Sequence, residues 1–315
     1  MVKIVLAGGT GNLGREILDA LIEKGTHELS VFTRSDGAYP DLEKQGVRVL
    51  KVNYDDQDGL TAALKGVEVV LSFVVAQSDP EGMAQKNLID ASVAAEVKRF
   101  APSEWASRSG AGPQYASKDI VSDYLREINK DKRVLEYSLF QLGFFTNYLG
   151  SPHKTTKHVQ LFNIHVDVEN RRAIAPEGDD LKWTFTTVQD VARVVAEAVD
   201  YQGIWPEIGG VNGHTLTNAE LLKIVEEIRG PISIERVTRA DLEAGRLNTT
   251  WAPKIEHPSI PPEHRTRELS DKVISRTLLA GLKGSWVVSD EWNKLLPHVK
   301  FTKVDEFLRS VNWGS

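Results

Sequence analysis

Short apolar runs recur along the first half of the chain, at residues 2–6, 29–33, 47–52, 67–74, 97–101 and 134–140. They are nearly continuous rather than alternating, the pattern of strands covered on both faces. Between them, near residues 12–24, 57–65, 80–95 and 114–129, apolar positions return at helical spacing. Strands alternating with helices predict an α/β architecture, a doubly wound parallel sheet whose ligands lie beyond the carboxyl ends of its strands. Local chemistry marks several boundaries. Gly25 and Gly66 stand where helices should stop. Asp79-Pro80 reads as an N-cap followed by proline at the first helical position.

After residue 150 the pattern changes. Residues 151–182 hold three histidines, paired arginines and the turn-rich tract Pro176-Glu177-Gly178-Asp179-Asp180. A strong helix follows from Val191 to Val199; Thr187 with Asp190 resembles a capping box in which Asp stands for Glu, and Thr217 with Glu220 matches the box itself. The last third is helix-rich and broken by Pro253, Pro258, Pro261 and Pro262. The predicted division is a dinucleotide-binding domain over 1–150 plus about 183–202, and a smaller, mostly helical substrate-binding domain over 151–182 and about 203–315. Packed across the carboxyl edge of the sheet, the second would create a cleft, where ligand sites prefer to form.

Composition narrows the function classes. The net charge is −6 and the basic residues form no block, so nucleic-acid binding driven by phosphate attraction is unsupported. There is no cysteine, which excludes disulfides, thiolate metal sites and a cysteine nucleophile. His153, His158 and His165 lack the spacing and paired acid of a metal site, so no metal is expected. No apolar run has transmembrane length, and a strand beginning at residue 2 leaves no room for a leader peptide. The expectation is a cytoplasmic monomer or homodimer without membrane contact.

The first strand runs into Gly8-Gly9-Thr10-Gly11-Asn12-Leu13-Gly14 and then into a helix. Backbone amides and the dipole at a helix N-terminus favour a phosphate. The spacing is G-x-x-G-x-x-G rather than the usual G-x-G-x-x-G, but the strand–turn–helix context is the one a dinucleotide site requires. Gly8, Thr10, Gly11, Asn12, Leu13 and Gly14 are therefore the first candidate cofactor contacts in a Rossmann-type domain. Arg34 follows the second strand, 20 positions after Gly14. An acidic residue in that region takes the ribose 2′-hydroxyl of NAD, whereas arginine accommodates the 2′-phosphate of NADP. Asp36 stands close enough to blur the distinction, but Arg34 favours NADP(H). Phe73, at the end of the fourth strand, and Gly143 and Phe144, after the sixth, complete the expected cofactor contacts.

The stretch after the fifth strand reads Arg99-Phe100-Ala101-Pro102-Ser103-Glu104-Trp105 and leads to Tyr115-Ala116-Ser117-Lys118. Together with GGTGNLG, the basic residue after strand two, YDDQDGLTAALKGVEVVLS at 54–72 and WTFTTVQDVARVVAEAV at 183–199, it resembles the NmrA-like and isoflavone reductase-like group of atypical short-chain dehydrogenases/reductases. The similarity covers about the first two hundred residues well and is loose beyond. It implies that Lys118 is the acid/base residue. A lysine beside an apolar pocket has a lowered pKa and exchanges protons near neutrality; it can also hold the nicotinamide ribose. Tyr115 lies three residues before Lys118, not the four of the broader superfamily, and is a second candidate proton donor. Where the group more often has Phe-Gly, this chain has Trp105-Ala106, which argues for a differently shaped pocket. Ser103 is placed to hydrogen-bond a substrate oxygen. Glu104 either orients Lys118 or caps the following turn. Trp105, Phe145 and Tyr148 are the remaining substrate candidates, the aromatics through stacking.

These readings lead to an NADPH-dependent reductase of a small, apolar, aromatic metabolite. Hydride would pass to a C=C, C=N or C=O bond with Lys118 as acid/base, either as simple reduction or coupled to cyclisation. The rival is a non-catalytic NADP(H)-sensing regulator that binds a protein partner; the resemblance places Lys118 against it.

Overall fold

The computed structural model describes residues 1–75, 78–112, 115–178, 180–256 and 260–314. Asp179 and Pro258, named above, lie outside the described residues. The chain forms two compact units: residues 1–141, 191–211 and 289–299, and residues 142–190, 212–288 and 300–315.

The first unit begins β1 (Lys3–Ala7), α1 (Asn12–Lys24), β2 (Glu28–Thr33), α2 (Pro40–Glu43), β3 (Arg48–Lys51), α3 (Gln57–Ala63), β4 (Val69–Ser72), α4 (Met83–Ala94), β5 (Arg99–Ala101), α5 (Ala116–Ile128), β6 (Glu136–Tyr137) and β7 (Leu139–Gln141). The chain continues with β8 (Phe144–Phe145), β9 (Val166–Asp167), β10 (Arg172–Pro176), β11 (Lys182–Thr186), α6 (Val188–Asp200), β12 (Ile208–Gly210), β13 (His214–Thr217), α7 (Asn218–Arg229), β14 (Ser233–Val237), α8 (Arg239–Glu243), α9 (Arg267–Leu282), α10 (Glu291–Leu295) and α11 (Val304–Ser310).

The main sheet of the first unit is parallel, in the order β3-β2-β1-β4-β5-β6. This is the doubly wound Rossmann order, and the switch point lies between β1 and β4. Val5, Phe32, Val70 and Phe100 enter one core with Leu88 and Ile89 of α4 and Val121 and Leu125 of α5. Ile4 and Leu6 are also buried, so β1 is covered on both faces, as its unbroken apolar run requires.

Around Ser138 the sixth predicted strand changes partner. Ser138 donates its amide to Phe100, whereas Leu139 donates to Glu207, and β7 pairs with β12 in parallel. Residues 203–211 therefore belong with the first unit rather than with the second. So does α10: Glu291 accepts the amide of Gly210, and Trp292 stacks on Phe140 at 5.4 Å. The first crossover comes at Gln141, not at residue 150.

Asp79-Pro80 does not open α4. The N-cap is Gly82, in the left-handed region at φ 68°. Asp79 caps at longer range, its carboxylate accepting the amides of Ala84 and Gln85. Gly25 ends α1 in the left-handed conformation, as expected.

In the second unit, β14-β10-β9 and β13-β11-β8 form two small sheets that the sequence pattern did not reveal. Helices nevertheless hold more of its residues than strands. Thr217 and Glu220 close a complete capping box on α7. Thr187 accepts the amide of Asp190 at the start of α6.

Candidate active site

Four loops of the first unit follow the carboxyl ends of adjacent parallel strands, and these loops carry the predicted chemistry. Gly8 follows β1 and donates its amide to Phe32 of β2; Phe73 follows β4 and donates to Ala7 of β1. Arg34 follows β2, and Ser103 and Glu104 follow β5.

Three of the four glycines of the turn, those of the G-x-x-G-x-x-G pattern, serve different ends. Gly8 has φ +78°, a conformation that L side chains rarely adopt. A Cβ at Gly14 would lie 3.0 Å from the Gly8 oxygen, the Gly9 Cα and the Phe73 ring, so its absence lets the helix close on the turn. Gly11 is not required by packing. A Cβ there would meet only the Gly8 oxygen, at 3.6 Å, and the residue is exposed. Gly11 is also the N-cap of α1, whose first turn has no side-chain cap and no acidic residue. Unsatisfied amides at the mouth of a thirteen-residue helix, with a bare Cα in front of them, fit a pyrophosphate. Asn12 opens this helix; Leu13 is buried beneath it and has a structural place.

Arg34 is exposed, and its partner is the Ser78 hydroxyl at 3.4 Å. Asp36, which blurred the choice of cofactor, is ion-paired with Lys51. The guanidinium thus remains for an external anion, while the nearby acid already has its cation. Tyr39, which sequence reasoning missed, joins this loop. Its hydroxyl interacts with Thr33, Ser35 and Thr10, and those bonds hold its pKa below the usual phenol value.

Trp105 carries a left-handed backbone at φ 38°, which costs a non-glycine residue of order 1 kcal/mol. Its side chain compensates. The indole donates to the Ser72 carbonyl at 2.7 Å and stacks on Phe73 at 4.8 Å and Phe140 at 5.2 Å. Trp105 is therefore a buried wedge of the first unit rather than an open substrate surface. The same wedge turns the preceding peptide, so that the carbonyl oxygen of Glu104 accepts a hydrogen bond from Lys118 Nζ.

Lys118 lies in the first turn of α5, partly buried, with its ammonium 5.2 Å from the centre of the Tyr115 ring. Burial lowers its pKa, while Glu104 and Asp119 oppose that shift. Burial pushes Tyr115 up to about 12, so the phenol remains a proton-bearing group. Glu104 is 2% exposed, and burial raises its pKa against the field of Lys118. Its carboxylate does not cap the following turn. Asp119 ties the intervening loop to α5 by accepting the amide of Gly110. Ser103 is partly buried, and its amide is held by Gln85 Oε1 at 2.8 Å. Gln85 and Asp119 are positioning residues not singled out above. An acid in the first helical turn beside Lys118 was the available signal for the second.

The remaining candidates lie in the second unit. Gly143 has φ +70°, and a Cβ there would collide with the Thr184 carbonyl, so β8–β11 packing accounts for this glycine. Phe144 is core, stacked on Trp286 at 3.8 Å. Phe145 and Tyr148 are only partly buried; their rings stand 5.5 Å apart, and Phe162 lies 4.4 Å beyond Tyr148. His165 is fully buried against Trp183 and bonded to Asn218, with its pKa lowered to about 4 by burial. Among the described residues, no group of three or more His, Asp or Glu side chains is arranged to hold a metal, and no helix is long and apolar enough to cross a membrane.

A model of the NmrA-like family matches residues 2–308. The chain is 39% identical to an isoflavone reductase homologue of Zea mays over 97% of both sequences. It is 23% identical to the oxidoreductase swnN of Metarhizium robertsii, covering 98% of this chain and 97% of the relative. Among solved structures, an NADPH-dependent quinone oxidoreductase from Escherichia coli complexed with NADPH matches with a TM-score of 0.71 at 21% identity, over 97% of this chain and 98% of that one. At that identity the likeness speaks for the fold.

Proposed function

We propose, from the premise that this chain belongs to the NmrA-like family, that it is an NADP(H)-dependent oxidoreductase that reduces a small, apolar, aromatic metabolite at a C=C, C=N or C=O bond. The observation that carries this reading is the joint presence of a phosphate cradle without side chains at Gly11, an arginine at Arg34 that has no carboxylate partner among the described residues, and a partly buried lysine held on a backbone carbonyl. The first two fit the coenzyme. A structural protein has no need of the third.

The residues divide the work. The amides of Asn12 and the rest of the first turn of α1 bind the pyrophosphate, aided by the helix dipole, while the Gly11 amide is spent on the Gly8 carbonyl. Arg34 and the Ser78 hydroxyl bind the adenosine 2′-phosphate, for which a planar guanidinium is suited. Phe73 backs the glycine turn and carries Trp105 on its other side. When bound, NADPH supplies a hydride from C4 of its nicotinamide. Lys118 delivers the matching proton, and its lowered pKa places that transfer nearer neutrality than a solvated lysine allows. Tyr115 keeps its proton throughout the working range and is the second donor in line. In the second unit, Phe145, Tyr148 and Phe162 offer partly exposed rings suited to a flat substrate. Relatives named for isoflavone and quinone reduction support an aromatic substrate class. Reduction coupled to cyclisation requires the same residues.

The test is incubation with NADPH and a panel of quinones, enones, imines and aromatic ketones, followed by loss of reduced-nicotinamide absorbance. Turnover that disappears in Lys118→Ala while NADPH binding persists supports the enzyme. Absence of turnover together with a tightly bound protein partner supports the regulatory alternative.

A further inference from the structure

Glu104 is a deeply enclosed acid of the first unit. It is 2% exposed, and among the described residues its carboxyl makes no hydrogen bond, although buried polar side chains almost always find a partner. Enclosing an ionised carboxylate so deeply is costly, which is why burial raises its pKa. Its backbone is held from both sides. The Glu104 amide donates to Pro102 at 2.8 Å, and the next residue is the anchored, left-handed Trp105. That backbone presents its carbonyl to Lys118.

We propose that Glu104 is a positioning residue for proton transfer, its backbone carbonyl fixing the place of the Lys118 ammonium and its buried carboxyl setting the charge that Lys118 carries. This rests on the reading of Lys118 as the acid/base residue. Three charged groups face Glu104, all from α5: Lys118, Asp119 and Arg126. Lys118 in turn faces Glu104 and Asp119. Asp119 is engaged with the Gly110 amide, so Glu104 is the acid of this set without a hydrogen-bonded partner. Burial favours the neutral form of both Glu104 and Lys118, and each charge favours the other. The charge carried by each therefore depends on the charge carried by the other. When Lys118 gives up its proton, the neighbouring carboxylate restores its affinity for the next one.

Glu104→Gln retains the shape and the backbone carbonyl and removes the charge. Competitive acetylation of the full-length protein across pH, read by mass spectrometry of the peptide containing Lys118, gives the midpoint of that amine without any turnover. Loss of the carboxylate should lower the midpoint by about one unit, equivalent to about a tenfold rise in labelling below it. The pH dependence of kcat should move in the same direction, with NADPH affinity unchanged. A folded Gln variant whose labelling midpoint matches the wild type overturns the proposal. Should the Gln variant not fold, Lys118→Met reads the same pair from the other side. The infrared band of protonated carboxyl at neutral pH should grow in that variant, and an unchanged band overturns the proposal. Absence of turnover in the wild type would count against the reading of function and leave the labelling result standing.

Discussion

Replacing Gly11 with alanine separates the demands of the fold from those of the ligand. The backbone there, φ −94° and ψ 155°, is open to alanine, and the added Cβ would meet only the Gly8 oxygen at 3.6 Å. Two small terms act on stability. Alanine is a poorer N-cap than glycine by about 0.5–1.5 kcal/mol. It also reduces the freedom of the unfolded chain, a gain of about 0.4–1 kcal/mol. The sum is close to zero, and the melting temperature should move by no more than roughly 2–4 °C. Binding should respond differently. The methyl group occupies the space in front of the α1 amides, and overpacking costs about 1–3 kcal/mol, so Kd for NADPH should rise about 5–150-fold. Gly14→Ala is the control. Its Cβ would stand 3.0 Å from Gly8, Gly9 and Phe73, all parts of the protein, so stability itself should fall by about 1–3 kcal/mol. Thermal unfolding and titration by nicotinamide fluorescence measure both quantities. If Gly11→Ala binds NADPH within twofold of the wild type, or melts as early as Gly14→Ala, the turn does not hold the pyrophosphate in the way argued.

Arg34→Ser should weaken NADPH by about 10–100-fold, the loss of a charge-assisted phosphate contact, and leave NADH within twofold; equal losses for both coenzymes would show that Arg34 does not read the 2′-phosphate. Lys118→Ala should lower kcat by about 10²–10⁴-fold with NADPH affinity nearly intact, and a variant retaining wild-type turnover on the best substrate would remove Lys118 from the chemistry. The buried, neutral His165 makes stability depend on pH. Its folded pKa of about 4 lies below the ordinary imidazole value of 6.5, so the unfolded chain binds the extra proton between them and stability declines as pH falls through that window. The loss should reach about 3 kcal/mol near pH 4; urea midpoints from pH 4 to 7 measure it, and an unchanged slope in His165→Gln would contradict the assignment.

Much of the first unit was legible because its signals are local. The glycine turn, the span of α1 and its Gly25 stop each depend on neighbours within a few positions. The Asp79-Pro80 reading failed because the carboxylate caps amides five and six residues away, past a left-handed Gly82 that periodicity does not register. Phe144 and Phe145 are adjacent and alike in sequence. One is stacked in a core against Trp286 and the other is partly exposed, a distinction made by a strand that pairs forty residues later. Trp105 read as a substrate contact because nothing nearby shows that its indole reaches Ser72, 33 positions upstream.

The sequence by itself determined the alternating elements, the glycine turn that opens α1, the arginine after β2 and the lysine opening α5, since each is written in contiguous residues whose conformational preferences act locally. Tertiary structure alone decided which of these side chains is chemically available. Pairing Asp36 with Lys51 leaves Arg34 without that acid beside it, wedging Trp105 between two rings turns the Glu104 carbonyl toward Lys118, and enclosing Glu104 raises the proton affinity of its carboxyl. Burial and proximity across long stretches of chain set proton affinities and exposure, and neither quantity is a property of a residue and its immediate neighbours.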